Sequence, residues 1–170
     1  MNIVFLDVDG ELTYSDYNNN ETSDIDIEKV KLLKEICDKG NAKVVVSSSW
    51  RGWEGHTPKI YTILIDILMS NDIEVLGYTS HLPLEFNKEV SANLPLEELR
   101  NLPRLKYGTG RAAEIQKWIS EHEVNNFVIL DDEDFCWFDY GYDKHWIQPS
   151  YYDGGLKREH VNKAIEILNR

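Results

Sequence analysis

Residues 1–12 read Met1-Asn2-Ile3-Val4-Phe5-Leu6-Asp7-Val8-Asp9-Gly10-Glu11-Leu12. The apolar run Ile3–Leu6 is short and continuous, which predicts a buried strand. Asp7 and Asp9 fall where that strand ends, and Gly10 lets the chain turn sharply. Side chains two apart on an extended chain point the same way, so the two carboxylates share a side. Neighbouring anions repel, and the pattern therefore predicts a bound cation or a carboxyl with a displaced pKa. Ligands of open α/β sheets bind just outside the carboxyl ends of the strands, which is where these acids stand.

The same grammar recurs downstream. Val44-Val45-Val46 predicts a second buried strand that stops at Ser47-Ser48-Ser49, and Phe127–Leu130 predicts another that ends in Asp131-Asp132. Shorter strands are predicted at Ile73–Leu76 and His145–Ile147. Between them lie helical periods. The first is capped by Ser23 or Asp24 and runs to about Lys39, with Ile27, Val30, Leu33, Ile36 and Cys37 on its apolar side and Gly40 ending it. Thr57-Pro58 opens the second, which carries Ile60, Ile63, Leu64, Ile67 and Leu68. Thr109 or Gly110 opens the third, with Ile115, Trp118, Ile119 and His122 at helical spacing. Val161, Ala164, Ile165 and Leu168 mark a closing helix. Strand alternating with helix predicts an α/β fold whose mostly parallel central sheet is covered on both faces. Residues 1–170 are expected to form one domain, with a flap at 13–22 and a small insert at 78–110. The insert carries Pro83, Pro95 and Pro103, is long for a plain connection, and has room for a short helix near Leu96–Arg100.

The chain has 170 residues and a formal net charge of −12. A polyanion would be repelled by that average field, which argues against extended duplex binding. A small phosphorylated substrate, or a nucleic-acid end held by a local basic cluster, is compatible with it. Within 81–111 the basic residues Lys88, Arg100, Arg104, Lys106 and Arg111 nearly balance Glu85, Glu89, Glu97 and Glu98. No apolar run approaches the roughly 20 residues that span a bilayer, and no signal peptide is expected at the N-terminus. Cys37 and Cys136 have no CxxC partners and are expected to be buried thiols of a cytoplasmic protein.

Parallel strands bring their ends to one edge, so Asp7 and Asp9 are expected to converge with Asp131, Asp132 and Asp134. Such an all-oxygen set suits a hard cation such as magnesium. Serine hydroxyls and turn amides after the second strand suit a phosphoryl oxygen. Arg111 near a helix start completes the charge balance, with Lys106 as the rival basic residue. Each feature also has a plain reading. Serines cap strand ends, arginines decorate helix surfaces, and acidic runs such as 131–134 are usually solvated loops. An arginine at a helix N-terminus, however, opposes the dipole unless an anion is near. Trp50, Arg51 and Trp53 suit either a packed loop or a cluster that stacks a base or holds a phosphate. His56, His81, His122, His145 and His160 show no zinc spacing and are expected at the surface or in helix packing.

In this order, DVDGEL, VVVSSS, a basic residue before a helix, and VILDDED resemble the haloacid dehalogenase (HAD) superfamily of phosphohydrolases. SSSWR, GRAAEIQKWI and IQPSYYDGGL resemble its branch in Swiss army knife RNA repair proteins. The resemblance implies a Rossmann-like three-layer sandwich with only a small cap or flap, and phosphate monoester hydrolysis with Mg2+ through an aspartyl-phosphate. It implies that Asp7 is the nucleophile and that Asp9 is the acid/base, with its carbonyl on the metal. Ser47 and the Ser48 amide would bind the phosphoryl group. Arg111 or Lys106 would neutralise it, and Asp131 and Asp132 would anchor the metal with Asp7 and Asp9. A phosphoryl group needs positioning and charge neutralisation more than covalent help, which such a set supplies. Glu11 departs from the family, most of whose members carry threonine or a small apolar residue there. An anion beside the nucleophile would turn outward, raise a neighbour's pKa or impair turnover. Three other readings follow from the same residues. One is a receiver-like phospho-accepting domain, disfavoured because the second strand ends in serines. Another is a fold that binds a phosphoryl ligand or RNA end without cleaving it. The last is a metal-dependent nuclease, which the acidic balance disfavours.

Overall fold

The computed structural model describes residues 1–16, 21–22, 24–51, 57–81 and 110–170. The strands are β1 (Asn2–Leu6), β2 (Ser15–Asp16), β3 (Glu21–Thr22), β4 (Ala42–Val46), β5 (Val75–Tyr78), β6 (Asn126–Leu130) and β7 (Trp146–Ile147). The α-helices among the described residues are α1 (Ile27–Gly40), α2 (Lys59–Ser70), α3 (Arg111–Glu121) and α4 (Arg158–Leu168). Five strands form one parallel sheet in the order β5-β4-β1-β6-β7, with β1 in the middle. The α/β, Rossmann-like fold expected from the alternation is the fold observed.

Alternation along β1 splits the core into two layers. Val4 and Leu6, with Val44, Val46, Val128 and Leu130, face α1, α2 and α4. Ile3 and Phe5, with Val45 and Ile129, face α3 and Trp137. Every one of these strand residues is essentially inaccessible to water. Each such aliphatic side chain stabilises the fold by roughly 1.5–3 kcal/mol relative to exposure. On the first face α1 and α4 approach so closely that a Cβ on Gly40 would lie 2.5 Å from Leu168 Cδ1. Asn2 ties both helix ends to the sheet, donating to the carbonyls of Gly40 (2.8 Å) and Leu168 (3.1 Å).

Several boundaries move from their expected places for identifiable reasons. Asp26, not Ser23 or Asp24, caps α1, its side chain accepting from the Glu28 amide at 2.8 Å; Ser23 lies outside the described residues. The helix runs through Gly40 and is closed by Asn41, whose φ of 46° is left-handed. Ile27 is therefore exposed at the helix start instead of lying in the core. Pro58 stands at the cap of α2, one position earlier than expected, and no side chain caps that end. Ile60 and Ile63 on this helix are exposed, and only Leu64 and Leu68 are fully buried. Strand β5 is shifted two residues downstream of its expected place. His122 terminates α3 rather than continuing it, stacking on Trp118 at 3.8 Å. Cys37 is buried, but Cys136 is only partly so. The expected flap at 13–22 contains the antiparallel pair β2–β3. Of the expected insert at 78–110, residues 82–109, including Lys106 and the expected helix near Leu96–Arg100, lie outside the described residues. No helix among the described residues is long and apolar enough to cross a membrane.

Candidate active site

The sheet register aligns three strand ends. Leu6 pairs with Val46 on one side and Leu130 on the other, so the next residues, Asp7, Ser47 and Asp131, stand level at one edge. The ladder extends one step beyond the strands. Ser47 N–H donates to the Leu6 carbonyl at 2.7 Å and Asp7 N–H to the Leu130 carbonyl at 2.9 Å. A side-chain oxygen of each of Asp7, Asp131 and Asp132 lies within 4.8 Å of the others. Carboxylates more than 120 positions apart are thus brought to one edge by hydrogen-bond register.

Arg111 sits among them. Its Nη1 lies 2.7 Å from Asp7 Oδ2 and 2.8 Å from Asp131 Oδ2. Its guanidinium carbon stands 4.7 Å from the Phe135 ring centroid, an aromatic face that orients the group. Gly110, at φ 126°, opens α3 and provides no side-chain cap. The adverse placement of a cation at a helix N-terminus is thereby offset by two buried carboxylates. Burial pulls the Arg111 pKa down, but Asp7 and Asp131 outweigh it and hold the group above its ordinary range.

One guanidinium does not neutralise the cluster. Asp131 is pushed well above its ordinary range, by burial first and by Asp7 next, against the opposing pull of Arg111. Asp132 is raised to about 6 by burial and by repulsion from Asp7 and Glu133. Asp7 Oδ1 is buried without a hydrogen-bond partner. An orphaned carboxylate oxygen inside an all-oxygen acidic cluster is the environment a hard divalent cation fits, since cation ligation removes both the repulsion and the unmet lone pair.

The acid loop is fixed from behind. Trp146 Nε1 donates to the Asp131 carbonyl (2.7 Å), Gln148 to the Asp132 carbonyl (3.0 Å) and Trp137 Nε1 to the Glu133 carbonyl (3.0 Å). Gly10 makes room in front. Its φ is +94°, and a Cβ there would lie 2.5 Å from Asp132 Cγ, so no larger residue fits without displacing that carboxylate. Asp134 is turned away, accepting from the Cys136 amide at 2.8 Å.

Of the predicted residues, Asp7, Asp9, Arg111 and Asp132 line one cleft of about 590 Å³. Asp131 lies just beneath, almost wholly buried. Ser47 and Ser48 are buried too, with their hydroxyls accepting from Thr79 Oγ1 at 3.4 Å and from the Trp50 amide at 3.3 Å. The serine on the cleft wall is Ser49. Arg51 does not face substrate space. It is 4 % exposed, donates to the Ser48 carbonyl at 3.0 Å and pairs with Glu114 at 2.5 Å. Trp53 lies outside the described residues, as does His56. Glu11 turns inward: it is fully buried and neither oxygen has a partner. Burial, then Asp7, Asp131 and Asp132, raise its pKa well above the usual carboxyl range.

Sequence reasoning missed two features. Tyr151 and Tyr152 line the cleft from a short 3-10 turn, Tyr151–Asp153. The signal was present in the aromatic pair of the IQPSYYDGGL run, but nothing local places that turn on the same cleft as Asp7. Trp50 was visible only as a candidate stacking residue, whereas its indole N–H donates to Asp9 Oδ2 at 2.9 Å.

The family model described as the HAD domain in Swiss Army Knife RNA repair proteins matches residues 3–161. The chain belongs to this family. Membership points to phosphohydrolase chemistry. No curated protein and no solved structure matches the chain.

Proposed function

We propose that this member of the HAD family is a magnesium-dependent phosphatase that hydrolyses a phosphate monoester through an aspartyl-phosphate on Asp7. The observation that carries the reading is the Asp7 carboxylate itself. One oxygen is clamped by Arg111, and the other is buried without a partner beside Asp131 and Asp132. A carboxylate paired to a fixed cation through one oxygen and bare on the other is suited to nucleophilic work. Asp7, Asp131 and Asp132, with the backbone carbonyl of Asp9, are the groups that would hold the metal. Bound there, magnesium would supply positive charge against the phosphoryl oxygens.

In the first step an Asp7 oxygen forms a bond to phosphorus as the bond to the leaving oxygen breaks, and the Asp9 carboxyl gives its proton to that oxygen. In the second, Asp9 as carboxylate takes a proton from water, whose oxygen attacks phosphorus and releases Asp7. The balance is a monoester and water consumed, an alcohol and inorganic phosphate released. Arg111 remains on Asp7 and lowers the repulsion between an anionic nucleophile and an anionic substrate. Ser49 on the cleft wall and the Ser48 amide would hold the phosphoryl oxygens, with Ser47 in the same turn. Tyr151 and Tyr152 on the cleft wall suit a leaving group with an aromatic face, such as a nucleotide or nucleic-acid end. The net charge of −12 fits capture of an end rather than an extended duplex. Free Cys37 and Cys136 fit a reducing, cytoplasmic setting.

The test is turnover of p-nitrophenyl phosphate, mononucleotides and end-phosphorylated oligonucleotides with and without Mg2+. Activity is expected to require the metal, and Asp7→Asn is expected to lose about a thousandfold or more. Turnover that survives Asp7→Asn or ignores chelation sinks the reading. The buried, unpaired Glu11 favours one other outcome, a site that binds phosphoryl ligands without turnover. Tight binding of a phosphate mimic with no hydrolysis of any substrate would select it.

A further inference from the structure

Asp9 is held on both oxygens. Thr13 Oγ1 donates to Oδ1 at 2.8 Å, and the Trp50 indole Nε1–H donates to Oδ2 at 2.9 Å. The two donors come from different places. Thr13 belongs to the same turn, which is closed by the Gly10 amide on the Thr13 carbonyl at 3.0 Å. Trp50 comes from the loop after β4, 41 residues along, and its own amide is fixed by Ser48 Oγ at 3.3 Å. The indole bond therefore couples the acid/base carboxyl to the serine loop.

The chemistry of the donor matters. The χ2 torsion of an aspartate is broad, so a carboxyl plane is not fixed by its rotamer. Donors on both oxygens fix it. Each carboxylate oxygen has about two acceptor sites, so a single donor on each leaves Asp9, which lines the cleft, with capacity for a further partner. An indole N–H only donates, so it never competes for the proton that Asp9 gives and takes. A proton-transfer group must sit within hydrogen-bond reach of its target in the right orientation, and such transfer is worth roughly 10²–10⁴ in rate.

We propose that Trp50 is the positioning residue for Asp9, setting the plane of the acid/base carboxyl through its indole N–H. This rests on the phosphatase reading above. Its signature is dependence on the leaving group. An alkyl or nucleoside leaving oxygen needs a proton, whereas p-nitrophenolate leaves without one. The experiment compares kcat/KM, which reports the step that expels the leaving group, for wild type and Trp50→Phe across aryl and alkyl phosphates with Mg2+. Trp50→Phe is expected to lose about tenfold or more in kcat/KM on alkyl and nucleoside phosphates and less than about threefold on p-nitrophenyl phosphate. An equal loss on every substrate would mean a packing role and overturn the proposal, and so would no loss. If the Phe variant does not fold, benzothienylalanine at position 50 keeps the ring shape and removes only the N–H, and the same two outcomes decide. Wild-type protein inactive on all substrates would sink the phosphatase reading itself, a result distinct from either pattern.

Discussion

Glu11 carries the plainest physical conflict in the molecule. Its carboxyl is wholly removed from water, with neither oxygen bonded, and Asp7, Asp131 and Asp132 repel its charged form. Burial and these neighbours favour the protonated acid in the folded state, whereas the unfolded chain ionises it in the ordinary range. The folded pKa is therefore above the unfolded one. Stability from this group is present below the unfolded value and is lost as pH rises through the folded value. Glu11→Gln, which is neutral at every pH, is expected to match wild type near about pH 4 and to melt higher at about pH 8.5, both in chelator. The difference in Tm between the two proteins across pH checks this. A difference that stays flat or changes sign would reveal a counter-charge on Glu11. The family resemblance flagged this residue, but whether it pointed in or out was settled by packing. Leu156 N–H bonds the Glu11 carbonyl at 3.1 Å from the far end of the chain, a contact no local pattern encodes.

At the scale of elements, one ion pair locks the serine loop to α3. Arg51 and Glu114 are 5 % and 7 % exposed at their side chains and 2.5 Å apart. Arg51 also ties down the Ser48 carbonyl at 3.0 Å and lies 3.0 Å from His81 Nδ1. Burial lowers the Arg51 pKa and Glu114 opposes that shift. Removing one member leaves a buried charge unmatched, so Glu114→Ala is expected to destabilise by about 3–5 kcal/mol. Exchanging both for apolar residues, Arg51→Met with Glu114→Leu, is expected to recover most of that loss. Urea unfolding of the single and double variants measures it, and a single variant within about 1 kcal/mol of wild type would show the pair to be inert. This pair also shows where sequence reading stops. The three central strands β4, β1 and β6 were legible because each is an apolar run ending abruptly in polar residues, and Ser47, Asp7 and Asp131 stand where those runs end. The helices were legible from their period, but Ile60 and Ile63 share that period and remain outside, since α2 turns Leu64 and Leu68 fully into the core and packs Tyr61, Ile65 and Ile67 beside them. A Trp-Arg pair beside serines reads as a binding loop. It takes the third dimension to show that Arg51 meets a glutamate from another helix and Trp50 meets Asp9.

The whole fold converges on a charge imbalance that a cation would resolve. The net charge is −12, and the carboxylates of Asp7, Asp131 and Asp132 crowd one sheet edge with a single guanidinium between them. Ionising Asp132 in the folded protein costs stability as pH rises through about 6, because burial and Asp7 hold its pKa there and the unfolded chain does not. A metal needs these ligands deprotonated, so protons compete with it on the acid side of the same range. Magnesium is therefore expected to stabilise the protein more at about pH 7.5 than at about pH 5. At tenfold its Kd the gain is about 1.4 kcal/mol. For a chain of this size that is about 3–6 °C in Tm. A highly acidic protein also attracts divalent ions diffusely, so ionic strength must be matched with NaCl, which screens the diffuse part and leaves a ligated ion in place. Asp132→Asn removes one ligand and one titrating group together, and should abolish both the magnesium shift and its pH dependence. An equal shift at both pH values that persists in Asp132→Asn would mean that the strand ends hold no ion, and that the gathered carboxylates are balanced by Arg111 alone.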